Sequence, residues 1–162
     1  MVLAFFPCTR FETQITLWFR GCALQQKNMS DIQNLESDIQ LHKELHLNYT
    51  RLCQMCIIAL RKKIKLVFEN PYTQPHYLTQ YWCLKPSIID KNRRDNGDYQ
   101  EKPTQYWFLN FEPKQNLVFE PLDYVEYRTH NGAKARDGKS REVMRSMIHP
   151  QYANRFIRQY LI

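Results

Sequence analysis

At 162 residues, 43% of them apolar and 14% aromatic, the chain can bury one sizeable core, and a single domain over 1–162 is expected. Its 23 Lys and Arg against 16 Asp and Glu give a formal charge of +7, which argues against an acidic DNA mimic and favours encounter with nucleic acid or an acidic protein surface. No apolar run is long enough to cross a membrane, no basic-then-apolar leader opens the sequence, and five cysteines do not make a secreted disulfide framework, so a cytoplasmic protein is expected.

The apolar stretch from Val2 to Phe6 reads as a strand that runs into a loop, Pro7-Cys8-Thr9-Arg10. Phe11, Ile15, Trp18, Phe19 and Cys22 then recur at helical spacing, with Gly21 at the end. A longer helix follows. Ser30 and Gln33 have capping-box spacing, and Ile32, Leu35, Ile39, His42, Leu45, Tyr49, Leu52, Cys56 and Leu60 are expected to hold one face. Within it, Cys53 and Cys56 form a C-x-x-C pair without a second pair at ligand spacing. His42 and His46 lack a third ligand, so all four are expected to pack rather than bind metal.

Arg61-Lys62-Lys63 suits a helix C-terminus, and Ile64 to Phe68 reads as the next strand, leaving Glu69, Asn70 and Pro71 at its exit. Strand, helices and strand make a crossover unit, which places two parallel strands side by side and brings Cys8 and Glu69 to one sheet edge. From Pro71 to Pro103, Tyr72, His76, Tyr77, Tyr81 and Trp82 are interleaved with Lys85, Lys91, Arg93 and Arg94. That mixture suits stacking of unpaired bases and equally suits an irregular half-buried loop. Gln105–Leu109 reads as a buried strand and Leu117–Phe119 as a short one, the two forming a late antiparallel pair. Lys134, Arg136 and Lys139 fall in a glycine-containing segment that serves either as a phosphate grip or as a solvated linker, and a last amphipathic helix carries Tyr152, Phe156 and Tyr160.

The Pro7-Cys8-Thr9 and Glu69-Asn70-Pro71 loops, with the strings Arg93–Tyr99, Lys102–Phe111 and Arg145–Ala153, resemble the cytosine-ring DNA methyltransferases, in particular the small phage-borne methylase-like proteins. The resemblance implies an α/β fold: a partial Rossmann-like, methyltransferase-type sheet with helices packed on it. It implies Cys8 as the nucleophile that adds to the cytosine ring and Glu69 as the acid on the ring nitrogen. Around them Arg10, Asn70, Tyr72, His76, Arg93, Arg94, Lys102, Lys134, Arg136 and Lys139 are the candidate nucleic-acid contacts.

The sequence departs from that family in one respect. Its four glycines, at 21, 97, 132 and 138, do not form the glycine-rich strand-to-helix turn of an S-adenosylmethionine site. No cofactor is therefore expected, S-adenosylmethionine entering only if another chain or segment supplies the missing half. The expectation is a catalytically incomplete methyltransferase-like phage protein that binds nucleic acid or a host defence nuclease, of anti-CRISPR or anti-restriction type. The alternative is a cytosine methyltransferase completed in trans. An uncovered sheet edge implies a homodimer or hetero-complex.

Overall fold

A computed structural model describes residues 1–6, 10–11, 17–73, 76–125 and 146–162. The chain forms two compact units. Unit 1 comprises Met1–Ile89 with Gln105–Glu112, and unit 2 comprises Asp90–Thr104 with Pro113–Ile162.

Unit 1 begins with β1 (Val2–Phe5) and a 3-10 turn at Leu24–Asn28, followed by the long helix α1 (Asp31–Arg61). It continues through β2 (Leu66–Pro71), the short α2 (Tyr77–Tyr81), β3 (Ile88–Asp90) and β4 (Thr104–Leu109). The four strands make one sheet in the order β1-β2-β4-β3. As the crossover predicts, β1 and β2 are parallel neighbours, with Val2 opposite Leu66 and Phe5 opposite Glu69. The inner strands β2 and β4 read as near-continuous buried runs, whereas Val2, Leu3 and Phe5 on the edge strand β1 are exposed.

Three aromatic rings fix the core. Phe68 stacks on Trp107 at 4.8 Å, and Trp82 meets both rings edge-on at 5.4 Å. Leu52, Cys56 and Ala59 of α1 close over them together with Leu66, Leu78 and Leu109. The Trp107 indole N–H donates to the Leu84 carbonyl at 3.2 Å, so the polar atom of this buried ring is satisfied.

The expected N-cap of α1 is present: the Gln33 N–H donates to Ser30 Oγ at 3.3 Å, and the Ser30 N–H to Gln33 Oε1 at 2.9 Å. Its C-terminus is held from far along the chain, where the Asn110 amide donates to the Ala59 and Ile64 carbonyls at 2.9 and 2.8 Å. The expected single apolar face is corrected. Leu41, Leu45, Leu52, Cys56 and Ala59 are buried, while Ile32, Leu35, Ile39 and Leu60 are exposed. The sequence merges two rows, because an alternation of three and four residues drifts around a helix of 3.6 residues per turn. Cys56 packs as expected, burial pushing its thiol up to about 12.

The short helix expected around Phe11–Cys22 is described only in part: residues 17–19 are helical, and Ile15 lies outside the described residues. The expected late strand pair is also revised. On the side away from β2, β4 pairs with β3, whereas Leu117–Phe119 is not a strand.

In unit 2, residues 113–123 instead run beside α3 (Pro150–Tyr160), the last expected helix. The Lys114 and Asn116 N–H groups donate to the Tyr160 and Gln159 carbonyls at 3.0 Å, and the Asp123 N–H to Gln151 Oε1 at 2.8 Å. Beneath them lies a charged core. Arg93, on a 3-10 turn at Arg93–Asn96, is ion-paired with Asp98 inside the unit and sits 4.7 Å over the Tyr152 ring. Asp98 also accepts from the His149 N–H at 2.8 Å, and the Tyr152 hydroxyl donates to Asp90 at 3.0 Å. Gly97 ends that turn at φ +89, a left-handed backbone that favours glycine, and a Cβ there would displace the end of the Gln151 side chain.

Candidate functional site

The parallel pairing of β1 and β2 puts the C-terminal ends of both strands at one edge, which is where open α/β sheets carry their chemistry. Cys8 follows Phe5 by three residues and lies outside the described residues, as do Pro7 and Thr9. The two strand ends are joined by Asn70. Its buried side-chain amide donates to the Phe6 carbonyl at 3.3 Å and to the Glu69 carbonyl at 2.8 Å.

Just beyond, the chain turns through Pro71 and Tyr72 and is pinned by a buried polar cluster of which the sequence singled out His76 alone, without Gln105 or Thr79. Gln105, fully buried on β4, donates from Nε2 to the Pro71 carbonyl at 2.8 Å and accepts at Oε1 from the Thr79 hydroxyl at 3.2 Å, which leaves the second Nε2 proton for His76 Nδ1, 3.4 Å away. A carbonyl only accepts, so the Pro71 contact fixes which end of the Gln105 amide faces the histidine. His76 then accepts at Nδ1 and carries its proton on Nε2. Burial drives its pKa down to about 4, which keeps the ring neutral at pH 7. A lone glutamine in the apolar string Tyr106-Trp107-Phe108-Leu109 is the signal that points to this cluster in retrospect.

Among the described residues, three polar atoms buried in this stretch have no hydrogen-bond partner: Glu69 Oε2, Asn70 Oδ1 and His76 Nε2. The two oxygens can accept, and with Nδ1 accepting from Gln105 the ring nitrogen donates. Buried polar groups are nearly always paired, and each left unpaired costs about 1–3 kcal/mol. The aromatic wall beside His76 is Phe11, whose ring lies 6.3 Å from Phe6 and 6.2 Å from Tyr77, and whose carbonyl accepts the Tyr77 N–H at 2.9 Å.

The remaining candidates divide by surroundings. Arg10 is ion-paired with Glu44 of α1, whose carboxyl is held below the usual range first by the Gln40 hydrogen bond and then by Arg10. Tyr72 is half-buried beside Asn70 in unit 1. In unit 2, Arg93 is enclosed with Asp98, while Arg94 and Lys102 are half-buried. Lys134, Arg136 and Lys139 lie outside the described residues. His42 pairs with Asp38 at 3.6 Å and packs on Phe19. Among the described residues there is no cluster of metal-ligating side chains and no helix long and apolar enough to cross a membrane.

Comparison with protein-family models, with curated proteins and with solved structures returns no match.

Proposed function

We propose that this chain is a nucleic-acid-binding, methyltransferase-like module whose β1–β2 edge takes an unstacked pyrimidine base. The observation that carries the reading is the trio of unpartnered buried atoms on Glu69, Asn70 and His76 at the exit of β2. Glu69 and Asn70 are consecutive in β2 and face opposite sides of the sheet, so the three atoms are separate contacts, each of a kind an aminopyrimidine can pair through its exocyclic N–H donor or its carbonyl acceptor. Phe11 and Tyr77 supply the flat apolar surroundings such a ring prefers, and the formal charge of +7 supports attraction to the phosphate backbone.

The described residues do not fit an S-adenosylmethionine site. Gly21 and Gly97, the two described glycines, both sit at positive φ after short helical turns, and neither opens a helix after a strand. The reading is therefore binding without methyl transfer by this chain alone. A second reading, base chemistry completed by another chain with Cys8 as nucleophile and Glu69 as acid, is favoured by one observation, the Phe5–Glu69 register.

Titration of fluorescent single-stranded oligonucleotides, cytosine-rich against adenine-rich, tests the proposal. Cytosine-rich strands are expected to bind more tightly, and Glu69→Gln is expected to weaken that preference roughly tenfold, the cost of one mismatched buried hydrogen-bonding group. Equal affinity for both strands in wild type and variant would overturn it. Calorimetric uptake of S-adenosylmethionine by the same sample would move the assignment to the second reading.

A further inference from the structure

The two apolar rows on α1 differ in burial: one faces the core of unit 1, and in the other only His42 has a contact among the described residues, with Phe19 and Asp38. Leu41, Leu45, Leu52, Cys56 and Ala59 are buried in unit 1. The other row, Ile32, Leu35, Ile39, His42 and His46, is spaced by three, four, three and four residues, and its three aliphatic members are 69%, 65% and 56% exposed. At 100° per residue, this row stands roughly 130° around the helix from the core row. A lone exposed leucine needs no explanation, but three exposed aliphatic side chains over two turns, continued at the same spacing by His42 and His46, form the kind of stripe that seats a second helix.

We propose that this row is the contact surface for a second copy of the same chain, with the two α1 helices antiparallel. The charges beside the seam select both the partner and its direction. Glu36 and Lys43 occupy the same flanking position one heptad apart and carry opposite signs. A two-fold axis between residues 39 and 42 faces Glu36 of each copy with Lys43 of the other and packs Ile39 against His42 of the other. In a parallel pair Asp31 would face Glu36 while Asp38 faces Lys43, so repulsion offsets attraction, and in the antiparallel register one heptad away Glu36 would face Glu36; only the proposed register sets opposite charges together on both sides of the axis without a like pair. A helix that supplies both members of the pair on one flank is complementary to itself, as a two-fold interface requires. This contact goes beyond the nucleic-acid reading and does not depend on it.

Sedimentation velocity on the full chain at micromolar concentration tests the proposal. The expected result is a species of twice the 19.7 kDa protomer mass. Ile39→Glu and Leu35→Lys, both at exposed positions and so expected to keep the wild-type circular dichroism spectrum, give monomers. Glu36→Lys and Lys43→Glu each raise the dimer dissociation constant roughly tenfold, two flanking pairs being lost at once, and the double exchange restores it. A wild-type monomer, a dimer indifferent to Ile39→Glu and Leu35→Lys, or a Glu36→Lys variant that associates more tightly would each overturn the proposal.

Discussion

His76 shows how one buried side chain ties the candidate site to stability. Its ring is neutral in the folded protein because burial lowers its pKa to about 4, against an ordinary value of 6.5. Between those two values the unfolded chain takes up a proton that the folded chain does not. Folding stability therefore falls as pH drops from 6.5 towards 4 and levels off below, with a full effect of about 3 kcal/mol. Urea unfolding of wild type and His76→Gln at pH 7.5, 5.5 and 4.5 measures it. The wild type is expected to lose more stability over that range than the variant, and parallel curves would mean that the ring titrates as a solvated histidine does. None of this was legible in the string Gln74-Pro75-His76-Tyr77, where the histidine looks like one more member of an aromatic-basic loop. Among the residues around it are Gln105, 29 positions on, and Phe11, 65 positions back, and contacts of that range leave no local signature.

At the scale of elements, the features set by neighbouring residues were readable, and those set by distant ones were not. The Ser30 capping box, the extent of α1 and the parallel pairing of β1 with β2 all follow from local spacing and from the rule for crossovers. The C-terminus of α1 does not. Asn110, itself at φ +65, reaches back to the Ala59 carbonyl, which also accepts the Ile64 N–H at 2.9 Å, and to the Ile64 carbonyl just past the helix end. Asparagine suits that place because it tolerates a left-handed backbone and its amide carries two donors. Asn110→Ala is expected to lower unfolding free energy by about 1–3 kcal/mol, from two lost hydrogen bonds and a strained alanine. Asn110→Gly, which relieves the backbone but not the bonds, should recover part of the loss. Chemical denaturation of the three proteins separates the two contributions, and equal stability of wild type and Asn110→Ala would remove the cap from the account. The apolar face of α1 was misread for a related reason. The two rows interleave in sequence, and only the packing of unit 1 shows which of them faces the core.

For the whole molecule, connectivity predicts an order of unfolding. The excursion Asp90–Thr104 of unit 2 leaves the sheet at the end of β3 and rejoins it at the start of β4. Its ends are fixed only while the sheet is formed, whereas the core of Phe68, Trp82 and Trp107 is made within unit 1. Unit 2 depends instead on a buried ion pair, Arg93 with Asp98, and breaking one partner of such a pair costs about 3–5 kcal/mol because the other charge remains enclosed. All three tryptophans, Trp18, Trp82 and Trp107, belong to unit 1, so indole fluorescence reports that unit alone, while far-ultraviolet circular dichroism also sees α3. In Asp98→Ala the dichroism transition is expected to move to lower urea while the fluorescence midpoint stays near the wild-type value. The two probes then separate, which is the signature of a transition that is no longer two-state. If both probes shift together by the same amount, the units unfold as one, and the charged core of unit 2 supports the sheet as much as the sheet supports it.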